Sequence, residues 1–167
     1  IFGVDNAIVE LDNLEVPILD GSALDFVSEI QRVGLKEQSA QRTYLVIRKE
    51  LHLEERGKTI SIYPATSFQI SYSIDFPHPM IGKQTYEFDA SPETFAREIA
   101  PARTFGFLHE VEELKKNGLV RGGSMDNAIV LTKTGILNDI LRFKDEFVRH
   151  KILDNIGDLS LIGRPFI

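Results

Sequence analysis

The stretch "FQISYSIDFPHPMIGKQTYEFDASPETFAREIA", residues 68–100, decides the fold class. Two runs rich in β-formers, "FQISYSIDF" and "TYEFDA", stand on either side of a proline- and glycine-containing turn, the pattern of paired strands. Directly after them Ser91 is placed to cap a short helix, with Pro92 in its first turn.

Working outward, "TYLVIRKELHLEE" (43–55) and "TISIYPA" (59–65) read as a further strand pair, joined at Arg56-Gly57-Lys58. Downstream, "RTFGF" (103–107) reads as a short strand and "HEVEELKKNG" (109–118) as a helix closed by Gly118. "NAIVL" (127–131) is another strand, and the last helix runs from about residue 144 to 161. Upstream, residues 7–11 are expected to form a strand. Ser22 is expected to cap a helix that ends near Val33 at Gly34. Strands in succession followed by helices predict an α+β, two-layer sheet-plus-helix domain, mainly antiparallel. Residues 1–36 hold too little to be a domain and read as the remnant of one, with the second domain at 40–167.

Composition narrows the function. The chain has 167 residues, 43% apolar and 26% charged, and carries a net charge of −6. All of that charge lies in residues 1–40, where eight acidic side chains face two basic ones. No long Lys/Arg run appears, which argues against nucleic acid as a partner. No apolar run approaches the roughly 20 residues that span a bilayer. Cysteine is absent, so disulfides and thiolate metal sites are excluded, while a site of imidazole and carboxylate ligands is allowed.

Such ligands occur in the last helix. "FVRHKILDNIGDLSLIG" (147–163) sets His150, Asp154 and Asp158 four residues apart on one row, with Lys151 beside them. Asp154 and Asp158 lie about 40° and 80° round the helix from His150, while Val148, Ile152, Ile156 and Leu159 fall on the opposite side. His and Asp at i, i+4 can reach a single metal ion. The same spacing also makes a surface ion pair, and two ligands do not complete a site. His52, His78 and His109 read as structural or solvated and supply no third ligand.

These motifs resemble the UDP-3-O-acyl-N-acetylglucosamine deacetylases, zinc enzymes of lipid A biosynthesis. "FVRHKILDNIGDL" is similar to the family's metal-site helix, and "GVDNAIVELDNLEVPILDGSA" to the end of its first domain. "ARTFGF" resembles the segment bearing its catalytic threonine, and "GLVRGGSMDNAIV" its acyl passage. The resemblance covers essentially the whole chain in family order. It implies a hydrolase with zinc held by His150 and Asp154, and with Thr104 as hydroxyl donor to the tetrahedral oxyanion. Asp158 would orient a general-acid histidine. Lys151 would meet the UDP group, and Phe105, Gly123 and Val130 would line the acyl passage within an insert at about 104–131. The third zinc ligand, general base and general acid of the family pattern would lie outside these 167 residues. The implied substrate is a UDP-sugar with a 3-O-acyl chain, and the implied location is cytoplasmic with room for peripheral membrane contact. The competing expectation is a non-catalytic α+β domain completed by a partner.

Overall fold

The computed structural model describes residues 1–13, 15–110, 127–137 and 140–165. The order is α1 (Leu24–Val33), β1 (Leu51–Glu55), β2 (Lys58–Ile62), β3 (Gln69–Phe76), β4 (Gly82–Asp89), α2 (Pro92–Thr94), a π-helical turn (Phe95–Ile99), β5 (Phe105–Phe107), β6 (Ile129–Leu131) and α3 (Glu146–Ser160). It is an α+β fold, and among the described residues the strands form three two-stranded pairings: β1–β2 and β3–β4 antiparallel, β5–β6 parallel.

The β3–β4 hairpin is the floor of the core. Its register pairs Ile70 with Phe88, Tyr72 with Tyr86 and Ile74 with Gln84. Side chains alternate between faces of a strand, so these residues turn inward while Ser71, Ser73, Asp75, Lys83, Thr85 and Glu87 face water. Two apolar clusters fill the inward side. One joins Val27 of α1 and Phe88 to Phe95, Ile99, Ala100 and Ile152. The other joins Ile74 and Ile81 to Ile129, Leu131, Phe147 and Val148. Helix α3 contributes to both, which fixes its position across the hairpin. Arg149 adds a polar clamp: its guanidinium lies 4.0 Å above the Tyr86 ring and 4.5 Å from that of Phe143, and pairs with Asp145 at 2.6 Å.

Local signals behave as their chemistry dictates. Ser91 accepts the Thr94 amide while Thr94 Oγ1 accepts the Ser91 amide, a reciprocal capping box. Ser22 Oγ accepts the Leu24 amide at 3.2 Å, so it serves the start of α1 from one residue further out than an N-cap. Gly34 ends that helix at φ 76°. Arg56 and Gly57, at φ 51° and 74°, form the tight turn between β1 and β2.

One expected strand is absent and another is shortened. Residues 7–11 take no regular structure, and Ile8 and Val9 are 93% and 71% exposed. The strand expected from residue 43 starts only at Leu51, because β2 offers a ladder of just five residues. Tyr44, Leu45 and Val46 are left exposed, and the Leu45 amide bonds to the carbonyl of Pro165 instead. Strand propensity becomes a strand only where another edge supplies hydrogen bonds. The helix expected at 109–118 falls largely outside the described residues.

Candidate active site

The segment between the π-helical turn and β5, residues 100–104, is where the site is built. Its Ala100 and Ala102 are fully buried. Arg103, 6% exposed, forms an ion pair with the fully buried Glu146 at the start of α3. Glu146 Oε1 accepts the Arg103 backbone amide and Nε, each at 3.0 Å, and Oε2 accepts the Arg142 amide at 2.6 Å. Arg103 Nη2 also reaches the Ile140 carbonyl at 2.9 Å. Removing one partner from such a buried pair costs about 3–5 kcal/mol, since the other charge is stranded. The lock holds residues 101–104 to α3.

One turn along α3, buried His150 points its Nδ1 at the Ala102 carbonyl, 2.9 Å away. A carbonyl only accepts, so Nδ1 carries a proton, and Nε2 is turned to Asp154, 3.3 Å from Oδ1. Burial raises the Asp154 pKa, but the hydrogen bonds and charges of His150 and then Lys151 outweigh it and hold the carboxyl down to about 2. Two ligands about 2.0–2.1 Å from one tetrahedral ion stand roughly 3.4 Å apart, so the spacing of Nε2 and Oδ1 fits two corners of a zinc site. An orienting acceptor behind the other ring nitrogen is the usual companion of a metal-binding histidine. Among the described residues, no group of three or more potential ligands comes together, so these two alone would supply half of a tetrahedral set.

Both donors line a cleft of about 740 Å³. Pro17, Ile18, Gly21, Ser22, Ala23 and Phe26 form its wall from the N-terminal segment, facing Thr104 and the α3 residues His150, Lys151, Leu153, Asp154, Gly157 and Asp158. Thr104 is fixed through its backbone: its amide bonds to the Gly21 carbonyl at 2.7 Å, and its carbonyl accepts the Ile129 amide at 2.8 Å. A hydrogen-bonded knot secures the wall. Asp20 pairs with Arg142 at 2.8 Å and accepts from Ser22, and these contacts outweigh burial to lower its pKa.

The four residues expected on or near α3 and β5 to act on the reacting groups are thus brought to one cleft: Thr104, His150, Asp154 and Asp158. Lys151 lines it too, but its Nζ pairs with Asp154 Oδ2 at 2.9 Å and lies 5.5 Å from the Phe105 ring centroid. Phe105 stands behind the cleft among Phe76, Phe147 and His150. Val130 is buried on β6. Gly123 lies outside the described residues. His52 bonds to Ser61 on the exposed β1–β2 hairpin, and His78 is buried between the Thr132 carbonyl and the Met80 amide. Neither joins His150. Sequence reasoning missed Pro17, Ile18 and Phe26 as cleft residues, and missed the pair of Arg103 and Glu146. A buried Arg–Glu pair 43 residues apart leaves no local pattern.

The family model described as UDP-3-O-acyl N-acetylglycosamine deacetylase matches residues 1–167. A UDP-3-O-acyl-N-acetylglucosamine deacetylase of Myxococcus xanthus is 57% identical over 166 residues, covering 99% of this chain and 53% of the relative. Those of Syntrophotalea carbinolica and Nitratiruptor sp. are 53% and 51% identical, covering 96% and 98% of this chain and 52% and 55% of the relatives. The chain thus spans about half the length of the curated relatives it matches. With a match along every residue and such identity across nearly the whole length, the chain belongs to the UDP-3-O-acyl N-acetylglycosamine deacetylase family.

Proposed function

We propose that these residues form part of a zinc-dependent deacetylase that hydrolyses the acetamide of UDP-3-O-acyl-N-acetylglucosamine in lipid A biosynthesis. The observation that carries this reading is the convergence of His150 Nε2 and Asp154 Oδ1 at metal-ligand spacing in the cleft that Thr104 lines. Residues 1–36 are read as the end of a first domain and residues 40–167 as a second, the cleft lying where they meet.

A zinc ion held by His150 and Asp154 would polarise the acetamide carbonyl and acidify a water molecule. The chain's own groups set up the rest. The Ala102 carbonyl keeps the His150 ring in the tautomer whose Nε2 can bind metal. Thr104 would donate its hydroxyl to the oxygen on which charge develops, a contact worth a few kcal/mol. Asp158, two turns beyond His150, would orient a general-acid histidine supplied from outside these residues. Lys151 would exchange its contact with Asp154 for the diphosphate once the carboxylate is engaged by metal. The aromatic group around Phe105, with Val130 and Gly123, is assigned to the acyl chain. The expected site is cytoplasmic. Among the described residues, no helix is long and apolar enough to cross a membrane.

The test is release of acetate from UDP-3-O-acyl-N-acetylglucosamine by the full-length protein that contains this chain. Acetate should form with zinc and stop on chelation. A zinc-loaded protein that releases none would overturn the reading.

A further inference from the structure

Glu146 and His150 are four residues apart on α3, and they grip one and the same peptide unit. The carbonyl of the Ala102–Arg103 peptide accepts from His150 Nδ1 at 2.9 Å, and its N–H donates to Glu146 Oε1 at 3.0 Å. The plane of that peptide is therefore set from one end by a fully buried carboxylate and read at the other by the ring. Hydrogen bonds in series through a peptide polarise one another in a low-dielectric interior. A carboxylate on the N–H side makes the carbonyl a stronger acceptor for the imidazole. The carboxylate is tolerable there because Arg103, the residue that owns the N–H, folds its guanidinium back onto it at 3.0 Å.

We infer that Glu146 and Arg103 are positioning residues for His150, acting through the Ala102–Arg103 peptide rather than as a packing element alone. The inference rests on the reading of His150 as a metal ligand. A group that only filled the core could be exchanged for apolar side chains of similar volume without consequence at the ring. A group that sets the peptide plane could not. Thr104 follows directly in the chain, so the same lock helps to fix its backbone.

The experiment is nitrogen-15 NMR of the full-length protein, reading the His150 ring nitrogens and the Arg103 amide during titration with zinc. Metal at Nε2 makes Nδ1–H a stronger donor, so zinc should shift both His150 and the Arg103 amide. The shift at Arg103 should shrink in Glu146→Gln, and that variant should bind zinc roughly 10–100-fold more weakly, as loss of partners behind a ligand does. The double variant Arg103→Met/Glu146→Leu should regain thermal stability, since apolar replacement of a buried pair is often neutral or stabilising. It should not regain zinc affinity. Wild-type zinc affinity in the double variant, or a His150 shift with no shift at Arg103 in the wild type, overturns the inference and leaves the metal assignment standing. No zinc-induced change at His150 itself overturns the metal assignment and this inference with it.

Discussion

Gly21 lies against Asn127 so closely that a Cβ on Gly21 would stand 2.0 Å from the Asn127 carbonyl oxygen and 3.2 Å from Thr104 Cγ2. Its φ of 83° is also one that side chains disfavour. The N-terminal segment thus enters the cleft as bare backbone, and the Thr104 amide bonds to it there. Gly21→Ala should destabilise the protein by more than about 2 kcal/mol, combining backbone strain with overlap that only a main-chain shift relieves. Urea unfolding measures this. A midpoint unchanged from wild type would show that the segment does not dock as described.

His150→Ala in the full-length protein should lose zinc on dialysis and with it deacetylation. Groups that merely orient a ligand are worth 10–100-fold in affinity, so loss of a ligand should exceed about 100-fold. Metal analysis after dialysis is the check. Full retention of zinc would place the ion elsewhere.

Thr104→Val keeps the shape of the side chain and removes the hydroxyl. If that hydroxyl meets the developing oxyanion, kcat should fall by about 10²–10³ while KM stays within a small factor. A rise in KM alone would make Thr104 a substrate-binding residue and nothing more.

Acid should loosen the N-terminal segment first at Asp20. Burial pushes its pKa up, but the bonds from Ser22 and Arg142 prevail, so the folded carboxyl titrates below the 3.8 of an unperturbed aspartate. The unfolded chain then takes up its proton at higher pH than the folded one. The stability from this knot is complete well above 3.8 and is lost as pH falls through the lower, folded pKa. Asp20→Asn should therefore be less stable at neutral pH and show a shallower decline as pH falls through and below 3.8. Parallel curves for the two proteins would show that Asp20 is not the group responsible.

The parts of this architecture written in short-range chemistry were legible. Ser91 and Pro92 announce a capped helix start, Arg56-Gly57-Lys58 a tight turn, and the row from His150 to Asp158 a helix face with ligand types on it. The β3–β4 hairpin needs only its own alternation and the intervening turn. Where structure depends on a distant partner, sequence misled or was silent. Ile8, Val9 and residues 43–50 have the composition of strands, yet no ladder meets them among the described residues. The parallel pairing of Phe105 with Ile129 has no signature in either run. Nor does the Arg103–Glu146 pair, since a lone glutamate at the start of a helix reads as an ordinary first-turn acid.

Strands that run parallel must be joined by a connection returning to the starting end of the sheet. For β5 and β6 that connection is residues 108–128, and both of its mouths are pinned. Thr104 holds the Ile129 amide before the connection leaves, and Val130 accepts the Leu137 amide after it returns. Doubling the length of such a connection adds only about 0.6 kcal/mol of closure entropy, so a change in its length should cost the fold little. If this connection carries the acyl passage proposed for it, grafting it from one relative to another should transfer preference for the acyl chain.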